Sequence, residues 1–241
     1  MEHAFGTGRP FTLGLEEELL LVDARTRALA PVAERVLAAI DVPPGGAAHE
    51  AYAAEVELRS LICNGAEEAV AKLRAHRAAA LEAGTATGAG GPTLMGAGLH
   101  PTAALGDATL VDAERYQRVE QEMRGVIRRT PECALHVHVG MPDADAAIRA
   151  FNGLRAWLPL LEGLSANSPW WFGSDSGFAS ARSVIVAAYP GRGVPRAFHD
   201  FDDYAQAAAT EVAAGGLDLE PARFAGLHGI HDRRVETSRR F

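Results

Sequence analysis

The chain has 241 residues, 48% of them hydrophobic, with a formal net charge of −8 and a pI near 5.6. That size can bury a substantial core, as one large domain or two small ones. The acidic balance argues against a nucleic-acid footprint, and no stretch approaches the roughly 18 uninterrupted apolar residues of a membrane span.

The opening MEHAFGTGRPFTLG lacks the cationic-then-apolar pattern of a secretory signal. Cys63 and Cys133 show no CxxC or finger spacing, which fits small buried thiols in a reducing cytoplasm. Lys72 is the sole lysine and is followed by Leu73, so a Walker-type phosphate loop is excluded. A nucleotide, if bound, must be held through metal ions and arginines.

In chain order, FTLGLEEELLLV (11–22) alternates in its first half and reads as a strand. PVAERVL (31–37) reads as a short helix with Pro31 in its first turn, and 41–48 reads as a loop from its Pro and Gly content. A period-two stretch within 53–61 predicts a second strand. Asn64 and Glu67 have capping-box spacing at the start of an alanine-rich helix, which Gly84 is placed to stop. TLMGA (93–97) reads as a strand. A helix is expected over 112–129, with Tyr116, Val119, Met123, Val126 and Ile127 on one face. ALHVHVG (134–140) reads as a strand. Ile148, Phe151, Leu154, Leu158 and Leu161 form one stripe of a helix over 145–165, kinked at Pro159. The segment 165–182 has no regular period, and a last helix is expected over 202–213. Whether the sheet is parallel does not follow from these patterns.

Three period-two patterns carry possible chemistry. On a strand, Glu16 and Glu18 share one face, and Glu17 the other. Two adjacent carboxylates repel unless solvent or a cation separates them, and a hard cation with oxygen ligands resolves the repulsion. Glu55 and Glu57 repeat the arrangement. Either pair alone also reads as solvated surface charge. In His136-Val137-His138 both imidazoles share a face, and valines 137 and 139 are expected to pack on the other. Zinc is the first metal such a pair suggests, but no third zinc-type ligand lies at a matching spacing. The loop SANSPWWFGSDSGFASAR (165–182) ends in Arg182, whose fork suits a carboxylate or phosphate. Its aromatics Trp170, Trp171 and Phe172 read equally as core anchors.

In this order the pieces resemble the glutamate–cysteine ligase type 2 family, the YbdK-like carboxylate–amine ligases. The matching segments are FTLGLEEEL (11–19), EVELRSLIC (55–63), RYQR (115–118), HVHVG (136–140), the 165–182 loop and YPGRGVP (189–195). The resemblance implies an α+β fold of the glutamine-synthetase type: a curved antiparallel sheet walling the active site, with helices behind it. It implies ATP and Mg2+ as cofactors, with small-molecule partners: glutamate, and cysteine or another amine. A homodimer fits the same reading; nucleic acid and membrane do not. By resemblance Glu16, Glu18, Glu57 and His136 are metal ligands, and His138 lies beside the nucleotide. Arg182 contacts the substrate carboxylate or transferred phosphate, and Glu57 and Arg182 are the catalytic pair.

Two departures stand out. Ala53 occupies a position where many relatives carry a glutamate, for which Glu50 or Glu55 could compensate. The family's Trp-Asp-x-Arg-Pro and Thr-x-Glu-x-Arg motifs have no counterpart in the arginine-rich tail from about 216, which resembles them only at Val235-Glu236. The expectation is a catalytic portion over 1–215 and an atypical tail over 216–241, from truncation or a frame shift. An inactive homologue that keeps metal and nucleotide binding is the alternative.

Overall fold

The structure, a computed structural model, describes residues 5–6, 8–86, 91–125, 127–128, 131–188 and 194–213. Its centre is a five-stranded sheet in which every strand pairing is antiparallel. The strands are β1 (Leu13–Asp23), β2 (Ala47–His49), β3 (Glu55–Arg59), β4 (Pro92–Met95) and β5 (Leu135–Val139). β1 is long enough to hold β3 along one side, and β5 and then β4 along the other. Helices α1 (Ala33–Ala39) and α2 (Ala66–Ala86) cover one face. Among the described residues no helix is long and apolar enough to cross a membrane.

The run Leu19–Val22 is continuous rather than alternating because both faces of β1 are covered there; all four residues are at most 3% exposed. Leu19 and Leu21 join Val56 and Leu58 beneath α1 and α2. Leu20 and Val22 point the other way, against Cys133 and Met95. α2 presents Ala69, Leu73, His76, Ala80 and Ala83 to the sheet, a helical stripe of mostly small residues that lets it lie close. Arg77, on the same helix, pairs with Glu17.

Several local expectations give way. The 41–48 loop ends in the short strand β2, paired with β3. At the start of α2 it is Glu68, not Glu67, that accepts from the Asn64 backbone N–H, at 2.8 Å. Gly84 does not stop α2, which continues to Ala86; it lies where the Pro92 carbonyl comes close. α3 covers only Glu114–Met123, because Arg124 takes a left-handed φ of 47°. Ile127 is buried beyond the helix, where its carbonyl accepts from the Tyr52 hydroxyl at 2.7 Å. Val126 and the Met123 side chain lie outside what is described.

The long helix expected over 145–165 is two: α4 (Ala144–Leu154) and α5 (Leu158–Ser165), joined by a 3-10 turn, with Pro159 in the first turn of α5. Its apolar stripe divides there. Ile148 and Phe151 are buried, whereas Leu161 is 44% exposed. The 165–182 loop contains a hairpin, β6 (Trp170–Trp171) and β7 (Ser174–Asp175), and leads into α6 (Ala181–Val186). Trp171 packs on Leu99, Ala181 and Ile185, while Trp170 and Phe172 are half exposed, so one of the three aromatics anchors the loop. α7 spans Phe201–Ala213. YPGRGVP lies mostly, and the 216–241 tail wholly, outside the described residues.

Alanine in place of a helical glycine ordinarily stabilises a helix by about 1 kcal/mol. At Gly84 the added Cβ would lie 2.8 Å from the Pro92 carbonyl oxygen. Gly84→Ala is therefore expected to lower the urea unfolding midpoint. A raised midpoint would show that α2 and β4 separate at no cost.

Candidate metal centre

The antiparallel register brings the period-two patterns of three strands to one face of the sheet. Glu16 lies opposite His136 on one side and Arg59 on the other; Glu18 lies opposite Glu57, and Leu20 opposite Glu55. Directly opposed residues share a face. Glu16, Glu18, Glu55, Glu57, Arg59, His136 and His138 therefore all project to the side away from α1 and α2. Glu16 and Glu18 are 7% and 9% exposed, and Glu55 and Glu57 are fully buried.

The groups interlock through Glu16 and Glu57. Arg59 Nη2 stands 2.5 Å from Glu57 Oε1, and its Nε lies 3.7 Å from Glu16 Oε1. His138 Nε2 approaches Glu16 Oε2 to 3.0 Å, and His136 Nδ1 approaches the same oxygen to 3.4 Å. The Ala134 backbone N–H donates to Glu18 Oε2 at 2.7 Å, tying the acidic pair to the segment that enters β5.

Two sets of possible ligands emerge, each with its donor atoms within 4.8 Å of one another: Glu16, Glu57 and His136, and Glu18, Glu50 and Glu57. Glu57 belongs to both. Burial holds the Glu18 carboxyl well above the usual range, and the charges of Glu50 and Glu57 push it further, against the Ala134 N–H and the positive charge of Arg182. Converging carboxylates whose charges raise the pKa of Glu18 form the environment that a hard divalent cation relieves. With five carboxylate positions and one imidazole between them, the two sets fit an oxygen-preferring ion better than zinc.

Glu55, two residues from Glu57 on the same face, has a different setting. Its Oε1 accepts from the Cys133 thiol at 3.0 Å, and it belongs to neither set. Burial, then the charge of Glu18, raises its pKa well above the carboxylate range; burial likewise raises the Cys133 thiol.

The sequence pattern paired Glu16 with Glu18, Glu55 with Glu57 and His136 with His138, each on one face of its own strand, and the structure brings those faces together. Arg182 reaches the same region from the start of α6, its charge acting on Glu18 and Cys133. The expected packing of the valines is reversed. Val137 is 52% exposed and Leu135 is 62% exposed, because α1 and α2 stop short of β5, and it is the histidine face that is buried. Of the two candidates to replace the glutamate absent at Ala53, Glu50 joins a ligand set and Glu55 does not. Arg59 was legible in EVELR, where period two puts it on the face of Glu55 and Glu57. The Cys133–Glu55 contact joins residues 78 apart and left no local signal.

The raised carboxyls set a pH dependence. The folded chain keeps protons on Glu18 and Glu55 that an unfolded chain releases near 4.5. Their stabilising contribution is full below that pH and is lost as pH rises through the folded values. Glu55→Gln cannot ionise. In metal-free buffer its urea stability relative to the parent chain is expected to improve steadily from about pH 4.5 upward. A pH-independent difference would contradict a raised Glu55.

Comparison with known proteins places this geometry. Residues 12–221 match the profile of glutamate-cysteine ligase family 2 (GCS2). A protein provisionally named glutamate–cysteine ligase 2-3 from Rubrobacter xylanophilus is 36% identical over 219 residues, covering 90% of this chain and 60% of that protein. One provisionally named glutamate–cysteine ligase 2-2 from Saccharopolyspora erythraea is 39% identical, covering 86% and 53%. A Haloquadratum walsbyi protein named glutamate–cysteine ligase is 36% identical, covering 86% and 57%. The chain thus spans between 53% and 60% of the length of these relatives. With its acidic sheet face and its matched profile, the chain belongs to glutamate-cysteine ligase family 2.

Proposed function

We propose that the chain carries the magnesium–nucleotide face of an ATP-dependent carboxylate–amine ligase that makes γ-glutamylcysteine from glutamate and cysteine. The observation that carries this reading is the pair of ligand sets that share Glu57. The names of the relatives support the ligase class. The free, buried state of Cys63 and Cys133 is compatible with a cytoplasmic enzyme that uses no protein thiol as nucleophile.

In the proposed reaction an oxygen of the glutamate γ-carboxylate attacks the terminal phosphorus of ATP, and ADP leaves. The amine of cysteine, or of another acceptor, then attacks the acyl carbon; phosphate leaves, and the amine gives up a proton. Both nucleophiles belong to substrates, so the protein's task is placement and charge compensation. Magnesium bound at the two sets supplies neutralisation of the phosphate oxygens. Glu16, Glu57 and His136 would hold one ion, and Glu18, Glu50 and Glu57 a second. His138, at 3.0 Å from Glu16, orients that carboxylate from the nucleotide side. Arg59 anchors Glu57 so that the shared ligand keeps one rotamer. Arg182 contributes a fixed positive charge for a carboxylate or phosphate of the reacting groups.

The test is ADP release measured with and without glutamate and magnesium. The reading expects release only with both, and a loss on the order of 100-fold for Glu57→Gln. Turnover unchanged by Glu57→Gln would contradict it. Magnesium-dependent nucleotide binding without ADP release would assign the chain the binding-only alternative.

A further inference from the structure

Arg182 has an unusual support. Its Nε is buried, yet among the described residues that atom makes no hydrogen bond. With Nε unbonded, the stem and the backbone carry the aim of the guanidinium. The backbone is held by Ser168, which is 3% exposed. The Arg182 N–H donates to Ser168 Oγ at 3.3 Å, and the Ala181 N–H donates to Ser168 O at 2.8 Å.

The stem is held by a glycine 84 residues earlier in the chain. An ideal Cβ built on Gly98 would lie 3.2 Å from Arg182 Cδ, 3.1 Å from Ser168 Oγ and 2.8 Å from Asn167 Oδ1. Nothing larger than hydrogen fits there without displacing the side chains of Asn167, Ser168 or Arg182. Gly98 also binds both sides of the site through its backbone. Its N–H donates to Asn167 Oδ1 at 2.8 Å, and its carbonyl accepts from the Cys133 N–H at 3.1 Å. The next residue, Ala134, holds Glu18. One buried peptide therefore fixes the distance between the loop bearing Arg182 and the segment bearing the contact to Glu18.

We propose that Gly98 and Asn167 are positioning residues for Arg182: the Gly98–Asn167 clamp sets where its guanidinium stands relative to the acidic sheet face. Gly98 does not occupy the left-handed region, so its smallness serves close approach rather than backbone freedom. The same property makes it a clean probe, because alanine adds a methyl group and no backbone strain. This inference rests on reading the acidic face as the magnesium–nucleotide site.

The test is a double-mutant cycle of Gly98→Ala and Arg182→Ala, with two readouts. The first is affinity for magnesium with a non-hydrolysable ATP analogue, by calorimetry. Each single variant is expected to bind about tenfold more weakly, and the double variant no more weakly than either one, because both remove the same placed charge. Independent losses that multiply to about a hundredfold overturn the proposal. The second readout is the melting temperature without ligand. Arg182→Ala removes the Cδ that an added Cβ would meet, so Gly98→Ala is expected to lower the melting temperature less in the Arg182→Ala background. Additive shifts overturn the clamp whether or not the analogue binds. If the parent chain does not bind the analogue, the reading of the site fails, and the melting cycle alone decides whether Gly98 packs on Arg182.

Discussion

Glu16 and Glu18 leave the middle strand of the sheet toward the same side as Glu55 and Glu57, and all four are at most 9% exposed. Taking a carboxylate out of water costs several kcal/mol unless a partner or a proton compensates it. Most of what surrounds this face answers that cost. Arg59 lies against Glu57 and near Glu16. Two imidazoles from β5 approach Glu16, and a backbone N–H from the entry to β5 meets Glu18. What those contacts leave unbalanced is expressed as raised carboxyl pKa values, with the charges of neighbouring glutamates among the causes.

The opposite face makes this arrangement affordable. Leu19, Leu21, Val56 and Leu58 pack under α1 and α2, each contributing about 1.5–3 kcal/mol when fully buried. β1 therefore has two duties at different points along its length. Its far half is apolar on both faces and ties the core together, whereas its first half carries Glu16 and Glu18 on one face and Glu17, paired with Arg77, on the other. The same division appears on β3. Glu57 is offered to both ligand sets, while Glu55, toward the apolar end, has its pKa raised by burial and accepts a hydrogen bond from the Cys133 thiol. An identical Glu-x-Glu spacing thus places both carboxylates in possible ligand sets on one strand, and only one of the two on its neighbour.

How much of this could be read from residues alone follows from the range of the interactions. The faces of Glu16, Glu18, Glu57, His136 and His138 depend only on strand alternation, and they were legible. The antiparallel order came from resemblance, since alternation within a strand says nothing about its neighbours. Glu50 belongs to no periodic element, and only the turn of the chain between β2 and β3 carries it to Glu18. The break between α4 and α5 was half visible in Pro159, which permits a new helix to start but does not say that the apolar stripe ends with the old one. Cys133, Gly98 and Asn167 act through contacts between segments distant in sequence, which no local pattern encodes.

The central claim is that the acidic sheet face binds divalent ions in two adjoining sets bridged by Glu57. Manganese can stand in for magnesium at oxygen-rich sites and can be followed by electron paramagnetic resonance. Titration of the metal-free chain is predicted to end at two bound manganese ions per chain, with a spectrum showing that the two ions interact magnetically. Saturation without binding, or with ions that give only isolated signals, would contradict the account.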